Sequence, residues 1–270
     1  MPQCVSAAQQ TLPQGFRVHS VQTHFLGNGT VTKPATYRVE ILNDRKTFAT
    51  RQVKVEQDDK TIALTTVGFT KTAPVAGRGS AIVEHAVPVA MPMEGPREEC
   101  DDIRYIRGDR NPSVQGYALP IVAKGLSNNA DSKLARHWLR ADGPVSTANG
   151  NLANLLGLVA LSDIFLLDSA PRIHGLVYDL QAEKSVKERM ARDLKAMTTI
   201  NHAIHIANVD AVRVDQWVYV ECNTPWASNG RIMVHSRMFS RDGTLLATCA
   251  QEGLLLLRKP LGDDIARQKL

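Results

Sequence analysis

Four cysteines in 270 residues, Cys4, Cys100, Cys222 and Cys249, are too few for a disulfide framework, and none forms a CxxC pair. They read as reduced, buried thiols of an intracellular protein. Aromatic residues are equally scarce at 5%, and no uninterrupted basic run exceeds a pair such as Arg258-Lys259. Lys plus Arg exceeds Asp plus Glu by 32 to 27, a formal charge of +5. Without a basic patch or stacking aromatics, that excess does not point to nucleic acid and suits a small anionic ligand better. No apolar run reaches the ~20 residues of a membrane span. The best candidate, residues 152–167, is interrupted by Asn154, Ser162 and Asp163. Met1-Pro2-Gln3 opens no apolar stretch, so no secretory signal is expected. There is no GxSxG elbow and no GxxxxGK[ST] loop. His202 and His205 stand three apart in a strand pattern, which puts them on opposite faces and argues against zinc.

What is present is ordinary globular composition, 43% apolar and 22% charged, with chain enough for one large domain or two small ones. Residues 3–11 read as a helix stopped by Leu12-Pro13 and Gly15. Strand patterns follow at 16–25, 35–42, 47–56 and 61–69, separated by turn residues such as Gly27-Asn28-Gly29 and Asp58-Asp59. Residues 71–131, rich in Pro, Gly and charge, read as a long inter-domain connection with little regular structure. Residues 132–142 are a helix or the first strand of a second unit. A very apolar helix is predicted over 148–168, capped by Asn149 or Asn151, with Leu152, Leu155, Leu156, Val159 and Ala160 at helical spacing. Residues 184–195 read as a solvated, charged helix. Strands resume at 197–206, 216–224, 231–240 and 245–257, with Asp242-Gly243 as a hairpin turn.

Both halves therefore run from a helix into a four-stranded meander. Asp59-Lys60-Thr61-Ile62 lies over Asp242-Gly243-Thr244-Leu245, Thr65 over Thr248, and Gly68 over Gln251. The expected fold is α+β, two copies of a helix wrapped by a curved antiparallel sheet.

Asp163 is the anomaly, a carboxylate near the end of the most apolar helix. Either the helix ends early and Asp163 is solvated or capping, or it is a positioned general base. Thr199 in MTTINH and Gln251 in TCAQEG interrupt apolar strands. Each alone is an exposed-face residue by default. With Asp163 they make a base, a hydroxyl and an amide, able to orient water against a carbonyl carbon. Residues 2–12 contain no Asp or Glu, so a catalytic half would be the second. Cys249 shares a strand face with Gln251, where a buried thiol is the simpler reading than a nucleophile.

Residues 218–257, VYVECNTPWASNGRIMVHSRMFSRDGTLLATCAQEGLLLL, resemble the C-terminal signature of the type II acyl-CoA thioesterases, which are double-hotdog enzymes. Residues 16–57, with VHS and FATR elements, resemble the first hotdog of that family, and Leu161-Ser162-Asp163 its helix-borne SD. The resemblance covers most of residues 1–259 and is poor from about 71 to 135. It implies hydrolysis of acyl-CoA to a free acid and CoA, with Asp163, Thr199 and Gln251 matching the family's Asp, hydroxyl and Gln that activate water. It also implies a helix N-terminal amide for the oxyanion, no cofactor beyond the CoA of the substrate, and no metal. The expected division is a first hotdog at 1–72 lacking its leading strand, a linker at 73–131, a catalytic hotdog at 132–259 and a tail at 260–270. The open edge left by that strand would favour a homo-oligomer. Asn201 stands where the family has Asp, which is expected to alter the pocket. Two other readings stay open: a non-catalytic acyl-CoA-binding hotdog protein or diverged thioesterase of a specialised biosynthetic pathway, and a hotdog hydratase. Gln268-Lys269-Leu270 resembles a peroxisomal address, with the cytosol as the alternative.

Overall fold

In the computed structural model, the described residues are 1–71, 83–86, 88–92, 96, 104–106, 114–123, 129–176, 188 and 192–259. The first segment is α1 (Pro2–Gln9) followed by β1 (Phe16–Phe25), β2 (Thr36–Asp44), β3 (Phe48–Gln57) and β4 (Lys60–Lys71). Then come β5 (Arg104–Ile106), β6 (Val114–Ala123), β7 (Lys133–Ala141), α2 (Ala148–Leu161) and the short α3 (Ser169–Ile173). The chain continues through β8 (Leu194–Ile206), β9 (Val218–Ser228), β10 (Arg231–Phe239) and β11 (Leu245–Leu257). Among the described residues no helix is long and apolar enough to cross a membrane.

The strands form one antiparallel sheet in the order β2-β3-β4-β1-β8-β11-β10-β9-β7-β6-β5. Consecutive strands mostly pair, as short turns favour. The two halves meet where β1 lies against β8, Ser20 opposite His205 through His24 opposite Asn201. Val18, Val21, Val53, Val67 and Phe69 turn inward from the first strands, and Val5 and Ala8 from α1 pack onto them. Leu155, Leu158, Val159 and Leu161 of α2 fill the second half against Ile204, Ile232, Val234 and Ala247.

Two expectations are corrected. Residues 73–131, expected as a linker of little regular structure, contain β5 and β6. In segment 114–123 Val114, Gln115, Gly116 and Leu119 are buried, and β7 supplies its ladder. Pro120, which argued for a loop, sits where the register to β7 shifts, a position that does not need its missing N–H. The alternative of a strand at 132–142 is the one realised, as β7.

The apolar helix is also shorter than 148–168. Asn149, Gly150 and Asn151 all have positive φ, so neither asparagine caps it in the ordinary way. Asn151 instead donates through Nδ2 to the Val212 carbonyl at 2.9 Å, and Asn154 accepts from the Val214 amide at 2.9 Å. The helix ends at Ser162, and a turn carries the chain to α3. Most of the charged helix expected at 184–195 lies outside the described residues.

Candidate active site

Thr65, Thr23, His202 and Gln251 stand opposite one another in sequence across β4, β1, β8 and β11. Residues paired across a sheet share a face, so these four form a buried polar row running from one half into the other. Val53 and Val234 close the row at its two ends. The Thr23 and Thr65 hydroxyls satisfy each other at 3.0 Å. His202 and Gln251, on the second half's side, face the turn that follows α2.

That turn delivers Asp163. The carboxylate Oδ1 accepts a 2.6 Å hydrogen bond from Gln251 Nε2, which also donates to Thr199 Oγ1 at 3.0 Å. The structure therefore brings Asp163, Thr199 and Gln251 into direct contact. Gln251 is fully buried, Thr199 is half-buried, and the Asp163 side chain is 44% exposed. The helix does end early and the carboxylate does meet solvent, and it is at the same time held by a buried amide. Among the described residues Gln251 Oε1 has no protein partner, although it is buried.

Ser162 and His202 belong to the same cluster and were not singled out from the sequence. His202 is 1% exposed; its Nε2 lies 3.0 Å from Ser162 Oγ and its Nδ1 4.0 Å from Asp163 Oδ1. Burial pushes the His202 imidazole down to about 4 despite the opposing pull of Asp163, so it is neutral near pH 7. Considering His202 only as a partner for His205 hid it, because His205 points the other way and is exposed. The available signal was the strand register, which sets His202 opposite Gln251.

Asn201 is on the opposite face from His202 and donates to Glu252 Oε2 at 2.8 Å, while Glu252 also accepts from Arg231 at 2.8 Å. The expected change in the pocket at Asn201 is therefore not made directly: adjacent strand residues point to opposite sides. Cys249 is buried and burial drives its thiol up to about 12, which leaves no thiolate for nucleophilic attack near neutrality. Among the described residues no group of three His, Cys, Asp or Glu side chains is placed to hold a metal ion.

The expectation that a helix N-terminal amide serves the oxyanion does not fit α2. Asp163 lies just past its C-terminal end, and its first turn is roughly 15 Å away at ~1.5 Å per residue. The end of α1 carrying the Met1 amino group is close enough to Asp163 for the two to interact electrostatically.

A helix on a large antiparallel sheet, with a buried Gln and a carboxylate meeting at the helix end, is the arrangement of a hotdog protein. Residues 1–70 match the family model for the acyl-CoA thioesterase N-terminal domain, and residues 83–255 that for the acyl-CoA thioesterase C-terminal domain. The chain belongs to the acyl-CoA thioesterase family. It is 25% identical to human acyl-coenzyme A thioesterase 8, over 97% of this chain and 80% of that protein. It is also 25% identical to acyl-CoA thioesterase 2 of Haemophilus influenzae, over 94% of this chain and 84% of that one. Among solved structures it resembles the acyl-CoA thioesterase II TesB2 of Mycobacterium marinum, with a TM-score of 0.70 and 23% identity over 96% of this chain and 88% of the other. A hot dog fold protein of unknown function from Alicyclobacillus acidocaldarius gives a TM-score of 0.59 at 15% identity, over 96% and 86% of the two chains. The fold is that of the hotdog thioesterases.

Proposed function

We propose that this protein hydrolyses acyl-CoA thioesters to a free carboxylic acid and CoA, with water as the nucleophile and the second half of the chain as the catalytic one. The observation that carries the reading is the Gln251 amide. Its two N–H groups are committed to Asp163 and Thr199, which fixes a base and a hydroxyl around one point beside solvent. Asp163 takes a proton from water as the water oxygen bonds to the thioester carbonyl carbon. Thr199 Oγ and Gln251 Oε1, the latter without a protein partner, hold that water in line. The tetrahedral intermediate collapses by breaking the C–S bond, and CoA leaves as a thiolate. A thiolate is a good leaving group, so the step needs no metal or other cofactor.

The charge of +5 suits the phosphates of the CoA portion. Assembly as a homo-oligomer and peroxisomal import through Gln268-Lys269-Leu270 are part of the same proposal. Mass measurement in solution and the location of a tagged protein with and without those three residues test them.

The hydratase reading gains one observation, the Asp163–His202 proximity of 4.0 Å. Against it, His202 is buried with Nε2 taken by Ser162, so the imidazole does not reach a substrate. The non-catalytic reading drew on Asn201, which faces away from the cluster. The deciding experiment is a panel of saturated acyl-CoA and enoyl-CoA substrates, followed with a thiol reagent for CoA and by absorbance for the enoyl group. CoA release that collapses in Asp163→Asn is expected. Hydration without CoA release, or tight binding without turnover at any chain length, would sink the proposal.

A further inference from the structure

We infer that His202 is a positioning residue whose Nδ1–H holds one oxygen of the Asp163 carboxylate, leaving the other oxygen to take the proton from water. The inference rests on Asp163 being the base and goes on to say how that base is aimed.

The argument begins with the only proton on a neutral imidazole. Nε2 faces the Ser162 hydroxyl at 3.0 Å, a group that can donate or accept. Nδ1 faces Asp163 Oδ1 at 4.0 Å and has no other partner among the described residues, although it is buried. A carboxylate only accepts, so a lone pair on Nδ1 would confront negative charge in a desolvated place, whereas an N–H is attracted to it. The proton therefore sits on Nδ1, and the Ser162 hydroxyl turns its hydrogen to Nε2. Ser162 Oγ is also 2.9 Å from the Val159 carbonyl oxygen, so that hydrogen has two acceptors within reach and loses little by turning.

The second strand of the argument is convergence. Gln251 Nε2, at 2.6 Å, and His202 Nδ1 both address Oδ1. Oδ2 makes neither contact. Asp163 is on a turn with its side chain 44% exposed, so the carboxylate has room to close the remaining ~1 Å to His202. With Oδ1 held by two buried donors the carboxyl plane is fixed, and Oδ2 is the basic atom presented to solvent. Among the described residues the groups around the imidazole are the buried Thr23 and Gln251 across the strands, Cys249 on the same face of the sheet, Ser162 from the turn, and the partly exposed Asp163. Among the described residues the Met1 amino group is a cation that acts on both His202 and Asp163. Nothing in this set competes for Nδ1.

The test uses two substitutions that keep different nitrogens. In His202→Asn the side-chain amide takes the place of Nδ1, and in His202→Gln it takes the place of Nε2. CoA release by both is compared with the wild type and with Asp163→Asn, reading kcat and KM separately. The expected result is that His202→Gln loses about 10²-fold in kcat with KM little changed. His202→Asn, which keeps the donor aimed at Oδ1, recovers most of the rate. Nitrogen NMR of the protein labelled in histidine reads the tautomer of His202 directly, without any substitution, and should find the proton on Nδ1. A proton on Nε2, or equal rates in the two variants, overturns the inference even if Asp163→Asn is inactive. An active Asp163→Asn instead removes the base on which the inference stands.

Discussion

Replacing Gln251 by Ala should disable the cluster through Asp163, and the size of the loss can be worked from the contacts. The amide donates once to a carboxylate and once to a hydroxyl. Hydrogen bonds to charged groups contribute ~1.5–3 kcal/mol and neutral ones ~0.5–1.5 kcal/mol. If both bonds matter fully at the transition state, ~2–4.5 kcal/mol is lost and kcat falls about 30- to 2000-fold, bracketing the range for removing one positioned donor. Asp163→Asn removes the base itself, about 10²–10⁴-fold. Independent effects would multiply in the double variant, to at least about 3 × 10³-fold by these figures. The geometry says they are one unit, since Gln251 acts by holding Asp163. The double variant should therefore fall no more than about tenfold below Asp163→Asn alone. The assay is CoA release read with a thiol reagent, under saturating and limiting substrate. Thermal melting is the control: Asp163 is substantially exposed, so Asp163→Asn should move Tm by no more than about 3 °C. A double variant showing the full product of the two losses would refute the coupling. Undiminished kcat in Gln251→Ala would refute the role of Gln251 altogether.

Three other outcomes are expected. Burial pushes His137 down to about 3 and His202 to about 4 from an ordinary 6.5, so the unfolded chain binds protons that the folded one refuses. The stability this represents is complete above pH ~6.5 and is lost as pH falls toward those values, together about 4 kcal/mol between pH 7 and pH 5. Denaturant melts at the two pH values check it, and a slope unchanged in His202→Gln would contradict the assignment. Arg51 is fully buried and donates to Thr11 Oγ1 at 2.7 Å, to the Thr11 carbonyl at 3.2 Å and to the Asn43 carbonyl at 3.2 Å. Arg51→Met should cost about 2–4 kcal/mol in chemical denaturation by orphaning those acceptors; a loss under about 0.5 kcal/mol would show that water replaces the guanidinium. Cys249→Ala should keep CoA release within about threefold of wild type, because a thiol held near 12 supplies no nucleophile. A collapse of the rate, or a trapped acyl-Cys249, would put a covalent step in place of the water.

Much of the strand order was legible because alternation at 16–25, 47–56 and 245–257 is a local pattern that burial enforces. The segment 114–123 was missed because Pro120 and Gly116 break the alternation, and only its ladder to β7 shows it to be a strand. The apolar helix was legible in its body and not at its ends. Asn149-Gly150-Asn151 satisfy the helix entrance by left-handed backbone and by Asn151 reaching the Val212 carbonyl, which spacing alone cannot announce.

The sequence by itself determined the material of the site: a carboxylate, a hydroxyl and an amide set into apolar segments that would not otherwise carry them. Such residues are visible because a polar group in an apolar run must find a partner or be exposed. It did not say which partner. Only the tertiary structure decided that Gln251 spends both its hydrogens on Asp163 and Thr199, that His202 stands beside Gln251, and that Asn201 turns away. The reason is strand register. A shift of one residue exchanges the two faces of a strand, so the same letters put Gln251 in a buried place beside Asp163 in one register and on a solvated surface in the next.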